Sequence, residues 1–192
     1  MTGRISYGAD STVDLVNCRD LLQKLERELD RIRQCDDREE LADLGFNFAV
    51  TAWHLTDWVW ADITSKHDLK VLLAARANKS ASKFGLAEFR DWMRKLSEEL
   101  NHCRLIATAS KHVGAERRPG DPGSFTATGS VSFSGGPTGA GPHGAAPHGA
   151  YYEKWVLKII VNGERKPGLD VFDRVCRFWK HFIDDNKIGY LG

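Results

Sequence analysis

Apolar residues recur along the first part of the chain in alternating steps of three and four. Leu15, Cys18, Leu22, Leu25, Leu29 and Ile32 form one stripe, with charges on the other faces. That period predicts an amphipathic helix over residues 11 to about 34. Asp10 or Ser11 is placed to cap it, and residues 1–10 read as a loose tail. A second helix is expected from Asp36 or Asp37 to about residue 63. Leu41, Leu44, Phe48, Leu55 and Val59 make its stripe, and Phe46, Trp53 and Trp60 carry apolar surface almost all the way round. Such a helix is central and contacted from several sides. Residues 68–76 read as a short helix and 78–83 as a polar loop. A third long helix is expected over residues 86–111. Phe89, Trp92, Met93, Leu96, Leu100, Cys103 and Ala107 form its apolar face, and Gly114 ends it.

Beyond Gly114 the period changes. Residues 125–133 alternate in strand fashion, and 151–161 are rich in β-branched and aromatic side chains. Between them, residues 135–149 are built from Gly, Pro, Ala, His and a single Thr, with the sequence Pro-His-Gly-Ala at 142 and again at 147. Too little apolar surface is present there to offset the entropy of ordering, so the segment reads as a mobile hairpin tip. Asn162-Gly163 signals a turn, with a short strand at 165–167. Asp170 caps a last helix whose apolar residues are Phe172, Val175, Cys176, Trp179, Phe182 and Ile183. The expected architecture is α+β and mainly helical, in one domain. It comprises a bundle over 11–114, a β-hairpin over 120–168 and a C-terminal helix over 169–185. The hairpin is too small to stand alone and must lie on the helices.

Composition narrows the picture only a little. The chain has 192 residues, a 42% apolar fraction, 28% charged residues and a net charge of +1. Those are values of an ordinary globular protein, with no global bias toward nucleic acid or membrane. Cys18, Cys35, Cys103 and Cys176 are scattered, with no CxxC pair. That pattern suits a reduced, cytoplasmic protein. Neither a signal peptide nor a membrane-spanning run is visible.

Two polar clusters stand out because they sit among tryptophans and leucines, where unpartnered polar groups are costly. One is Trp53-His54-Leu55-Thr56-Asp57-Trp58; the other is Asn101-His102-Cys103-Arg104, continued by Ser110-Lys111-His112. Helical spacing puts Asn101, Arg104, Thr108 and Lys111 near one face, and His54 with Asp57 on another. If the two helices are antiparallel neighbours, His54 and Asp57 meet Arg104. An Asp beside a His sets its tautomer and raises its pKa, and an Arg can grip a phosphate with two bonds. Two readings stay open: a satisfied interhelical network, or a site that handles phosphodiesters. His54 and Asp57, with His102 or His112, would supply metal ligands, but no HExxH or cysteine pair accompanies them. No metal and no cofactor is expected. Cys103 falls on the apolar stripe and reads as core. Arg90, Arg94 and Lys95, followed by Arg117 and Arg118, would make a basic surface for nucleic acid, but Glu98, Glu99 and Glu116 are interspersed and a solvated face is the preferred reading.

The segments Phe46–Trp58 and Cys103–His112, with Val175-Cys-Arg-Phe-Trp179, resemble a family of small bacterial and prophage-type helical proteins. A second resemblance is to HEPN domains, helical bundles, often dimeric, of toxin, defence and RNA-processing systems. Their active members cleave RNA without metal, using an Arg and a His near the end of one helix. Here Arg104 and His112 are separated by one residue more than the widest spacing of that motif. The resemblance implies that Arg104 holds the scissile phosphate and His112 acts as general acid or base. Asn101 would support them, with His54, Asp57 and Lys111 nearby. RNA would be the substrate and a second copy the partner. The other reading is a non-catalytic subunit that binds a protein partner, its polar cluster purely structural.

Overall fold

The structure, a computed structural model, describes residues 5–7, 11–13, 15–109, 156–161 and 164–189. Several expected features lie outside those residues. They are the end of the third helix with Lys111 and His112, the strand at 125–133, the tip at 135–149 and the Asn162-Gly163 turn.

Helices α1 (Cys18–Gln34) and α2 (Arg38–Thr64) pack along each other. Asn17, not Asp10 or Ser11, caps α1. Its side chain accepts from the Arg19 and Asp20 amides, and the Asn17 amide in turn donates to the Asp20 carboxylate. Of the residues ahead of the cap, those described include two short strands instead: β1 (Ile5–Tyr7) pairs antiparallel with β2 (Ser11–Val13). The α1 stripe is buried as its period requires, at Cys18, Leu22, Leu25, Leu29 and Ile32. Asp37 caps α2 by accepting from the Glu40 amide at 2.8 Å. Leu41, Phe48, Leu55 and Val59 are buried, but Phe46 is 42% exposed. Helix α3 (His67–Arg76) lies against α2.

The third helix is two helices. α4 (Leu86–Leu96) ends and α5 (Glu98–Ala109) begins around a single extended residue, Ser97, with φ −133° and ψ 115°. The buried Ser97 Oγ accepts from the Leu100 amide at 3.1 Å, so the residue that stops α4 caps α5. Leu96, expected on the apolar face, is 50% exposed at this corner. Both α4 and α5 pack on α2.

β3 (Lys158–Val161) and β4 (Glu164–Pro167) form an antiparallel hairpin that lies against α6 (Gly168–Asp185). Helix α6 starts at Gly168, so Asp170 stands in its first turn rather than at its cap. It closes the core between α1, α2 and α5. Trp179 is fully buried and its indole N–H donates to the Ala52 carbonyl of α2 at 3.1 Å. Phe172 stacks on Phe48 with ring centres 4.0 Å apart. Leu157 wedges against the glycines of two helices: a Cβ at Gly168 would collide with it, and one at Gly45 would meet its methyl groups tightly. The fold is α+β and mainly helical. No helix among the described residues is long and apolar enough to cross a membrane.

Candidate functional site

Helix α2 presents His54 to solvent and Asp57 half-buried one turn later. Asp57 does not meet Arg104. Its carboxylate takes a bidentate grip from Arg90 of α4, with Nε to Oδ1 at 2.8 Å and a terminal nitrogen to Oδ2 at 2.7 Å. The Thr56 hydroxyl donates to the Trp53 carbonyl at 2.6 Å and stands 3.2 Å from Asp57 Oδ1. The first cluster is therefore joined to α4, through an arginine that helical spacing alone placed on a solvated face.

Arg104 sits on α5, half-buried, and its Nε donates to the Asn101 Oδ1 at 2.9 Å. No carboxylate reaches it among the described residues. Burial foremost, and then the charge of Arg94, lower its pKa. Asn101 thus fixes the stem side of the guanidinium with a neutral oxygen, and among the described residues nothing bonds the terminal fork. A half-buried cation in that condition favours an anion, and the fork suits a phosphate. Thr108 lies one turn further along α5, half-buried.

His102 points elsewhere. It is buried, with Nε2 3.3 Å from Glu98 Oε1, and Lys166 of β4 bonds the same oxygen at 2.7 Å. Its Nδ1 is buried without a hydrogen-bond partner among the described residues. Burial, and next the charge of Lys166, hold the imidazole below its usual pKa, against Glu98 and Glu99. Glu99 meanwhile ties α5 to Arg174 of α6 at 3.1 Å. These bonds stitch helix to hairpin and use up the two glutamates.

Burial pushes the Cys103 thiol up, and Cys176 to about 12, so neither is a ready nucleophile. Among the described residues no three His, Cys, Asp or Glu side chains gather as a metal ligand set. Two features carried no sequence signal. Lys24, already bonded to the buried Glu28 one turn along α1 at 2.5 Å, reaches across to the Thr51 hydroxyl of α2 at 2.9 Å. Between α1 and α6, an open groove of about 360 Å³ is lined by Asp30, Arg33, Asp173 and Arg177. Arg33 bonds both aspartates, so the groove answers its own charge. The capping Ser97 was legible in principle, as a Ser followed by two glutamates. No family model, no curated protein and no solved structure matches this chain.

Proposed function

We propose that this is an HEPN-like RNA-binding protein in which Arg104 contacts the phosphate backbone. The observation that carries the reading is the Arg104 guanidinium, half-buried, steadied by Asn101 and unanswered by any described carboxylate. An arginine so placed is costly unless an anion visits it. The cleaving version of the proposal adds His112 as general acid or base, with Lys111 in support, by resemblance alone. All four cysteines are free thiols, which suits the cytoplasmic setting we assign, in conflict with phage or mobile elements.

RNA cleavage by the purified protein in EDTA tests it. Loss of cleavage in both Arg104→Ala and His112→Ala, each still folded, supports a metal-independent nuclease. Binding that depends on Arg104 without cleavage supports the binding protein. Neither binding nor cleavage sinks both.

The second reading is a non-catalytic subunit that binds a protein partner. Arg90's hold on Asp57 favours it, because that half of the polar cluster serves to tie α2 to α4.

A further inference from the structure

His102 stands where helix α5 meets strand β4, and its surroundings fit the neutral imidazole alone. The side chain is 5% exposed, and its Nε2 faces Glu98 Oε1 at 3.3 Å. A carboxylate opposite Nε2 selects the tautomer that carries its proton there. Nδ1 is then a bare acceptor, buried with no hydrogen-bond partner among the described residues. A second proton has to go on that atom. It would create a buried N–H with nothing to accept its bond, together with a new positive charge.

The neighbouring charges sharpen the conflict. The Oε1 that Nε2 faces also accepts from Lys166 Nζ of β4 at 2.7 Å. One oxygen thus serves two donors, and while the ring is neutral the lysine holds the shorter bond. A charged ring competes for that oxygen as a full cation and repels the lysine across it. Glu99 of α5 also acts on the ring, and Arg174 of α6 in turn bonds Glu99 at 3.1 Å. The Glu98 side chain is 68% exposed and free to turn toward either donor, whereas the ring is walled in. Burial, and then the Lys166 charge, keep the imidazole neutral at neutral pH.

Lys166 belongs to the β3–β4 hairpin, and two strands alone are marginal. Leu157, on the approach to β3, is buried. It lines an apolar cleft with Phe46 of α2, Ile106 of α5 and Phe172 of α6. The Glu98–Lys166 pair is partly screened by solvent, so its loss shifts a local opening equilibrium and does not unfold the bundle.

We propose that His102 is an acid-operated latch, whose protonation takes Glu98 from Lys166 and frees the β3–β4 hairpin from α5 while the helices stay folded. Leu157 leaves with the hairpin, so mild acid bares the apolar walls of the cleft.

The test is amide hydrogen exchange of the full chain, followed by residue from neutral pH into mild acid and corrected for the intrinsic rate. Below the usual imidazole value of about 6.5, the β3 and β4 amides are expected to lose protection. The slope should approach about tenfold per pH unit, that of one proton, while α1 amides keep their protection. In His102→Gln the hairpin should be indifferent to pH over this range. In Lys166→Met the hairpin should exchange about threefold faster already at neutral pH, the loss of a surface pair. Its acid dependence should shrink, because the imidazolium then has Glu98 to itself. This second variant carries the test if His102→Gln fails to fold. Wild-type protection that stays flat, or that falls in α1 together with the hairpin, overturns the latch. So does acid opening that survives in His102→Gln or is undiminished in Lys166→Met.

Discussion

Arg90 meets Asp57 fork to fork across the α2–α4 interface, and both side chains remain about two-fifths exposed, at 40% and 38%. Exposure of that degree decides what the pair contributes. A double-mutant cycle of Asp57→Ala and Arg90→Ala in urea unfolding should give a coupling of about 0.5–1 kcal/mol. A coupling above about 3 kcal/mol would mean the pair is dry, contrary to the geometry.

His102 should make the fold sensitive to mild acid. Its pKa is lowered in the folded state by burial and by Lys166. The unfolded chain therefore binds a proton first, near the usual imidazole value of about 6.5. The contribution of this group is fully present above that value. It is lost progressively as pH falls from there toward the lower folded value. Unfolding free energy measured from neutral pH into mild acid should decline in wild type before the carboxylates titrate. In His102→Leu that part of the decline should vanish.

Removing the Ser97 hydroxyl strands the Leu100 amide at the start of α5. Ser97→Ala is expected to cost about 1 kcal/mol of stability in denaturant unfolding. Ser97→Thr should retain most of it. Equal stability of all three proteins would show that the bond at this corner is not holding α5.

Gly168→Ala should be harder on the fold than its size suggests. The added Cβ would stand 2.7 Å from Leu157 Cγ and 3.0 Å from the Leu157 carbonyl oxygen. An expected loss of about 1–3 kcal/mol follows from overpacking. The Gly168 amide also donates to that same carbonyl at 2.8 Å, so the backbone has little room to yield. Trimming the wedge in Gly168→Ala/Leu157→Ala should recover less than Leu157→Ala alone loses, because the carbonyl clash remains.

Native alkylation should discriminate the thiols. Cys35 is partly exposed, whereas Cys18, Cys103 and Cys176 are buried. Iodoacetamide followed by mass spectrometry should add one group quickly in the folded protein, and four in denaturant. Rapid labelling of Cys103 would show that α5 opens far more often than its packing implies.

Much of the architecture can be read from periodicity, because burial is what the periodicity records. The α1 stripe from Cys18 to Ile32, the Asp37 cap and the α6 face around Trp179 all follow from spacing. The break at Ser97 is hidden for a physical reason. Phe89, Met93, Leu100 and Cys103 stay in helical phase across it, so hydrophobic spacing gives no warning. The site is less legible still. Spacing within α2 says that His54 and Asp57 share a face, but not which helix comes across to meet them. It is α4, bringing Arg90, and Arg104 is left to Asn101 one turn away on its own helix. His102 looked like part of the same polar cluster, yet adjacent residues on a helix diverge. It turns into the core beside the hairpin.

The bond from Trp179 to the Ala52 carbonyl joins residues 127 positions apart, and Arg19 reaches the Ile188 carbonyl across 169. Such closures are slow to form, since the ends of a long chain segment must find each other before any contact rewards the search. Helix α6 should therefore dock last in folding and leave first in unfolding. In pulse-labelling hydrogen exchange its amides should gain protection after those of α2. The order in which this protein assembles would then run opposite to the depth at which Trp179 is buried.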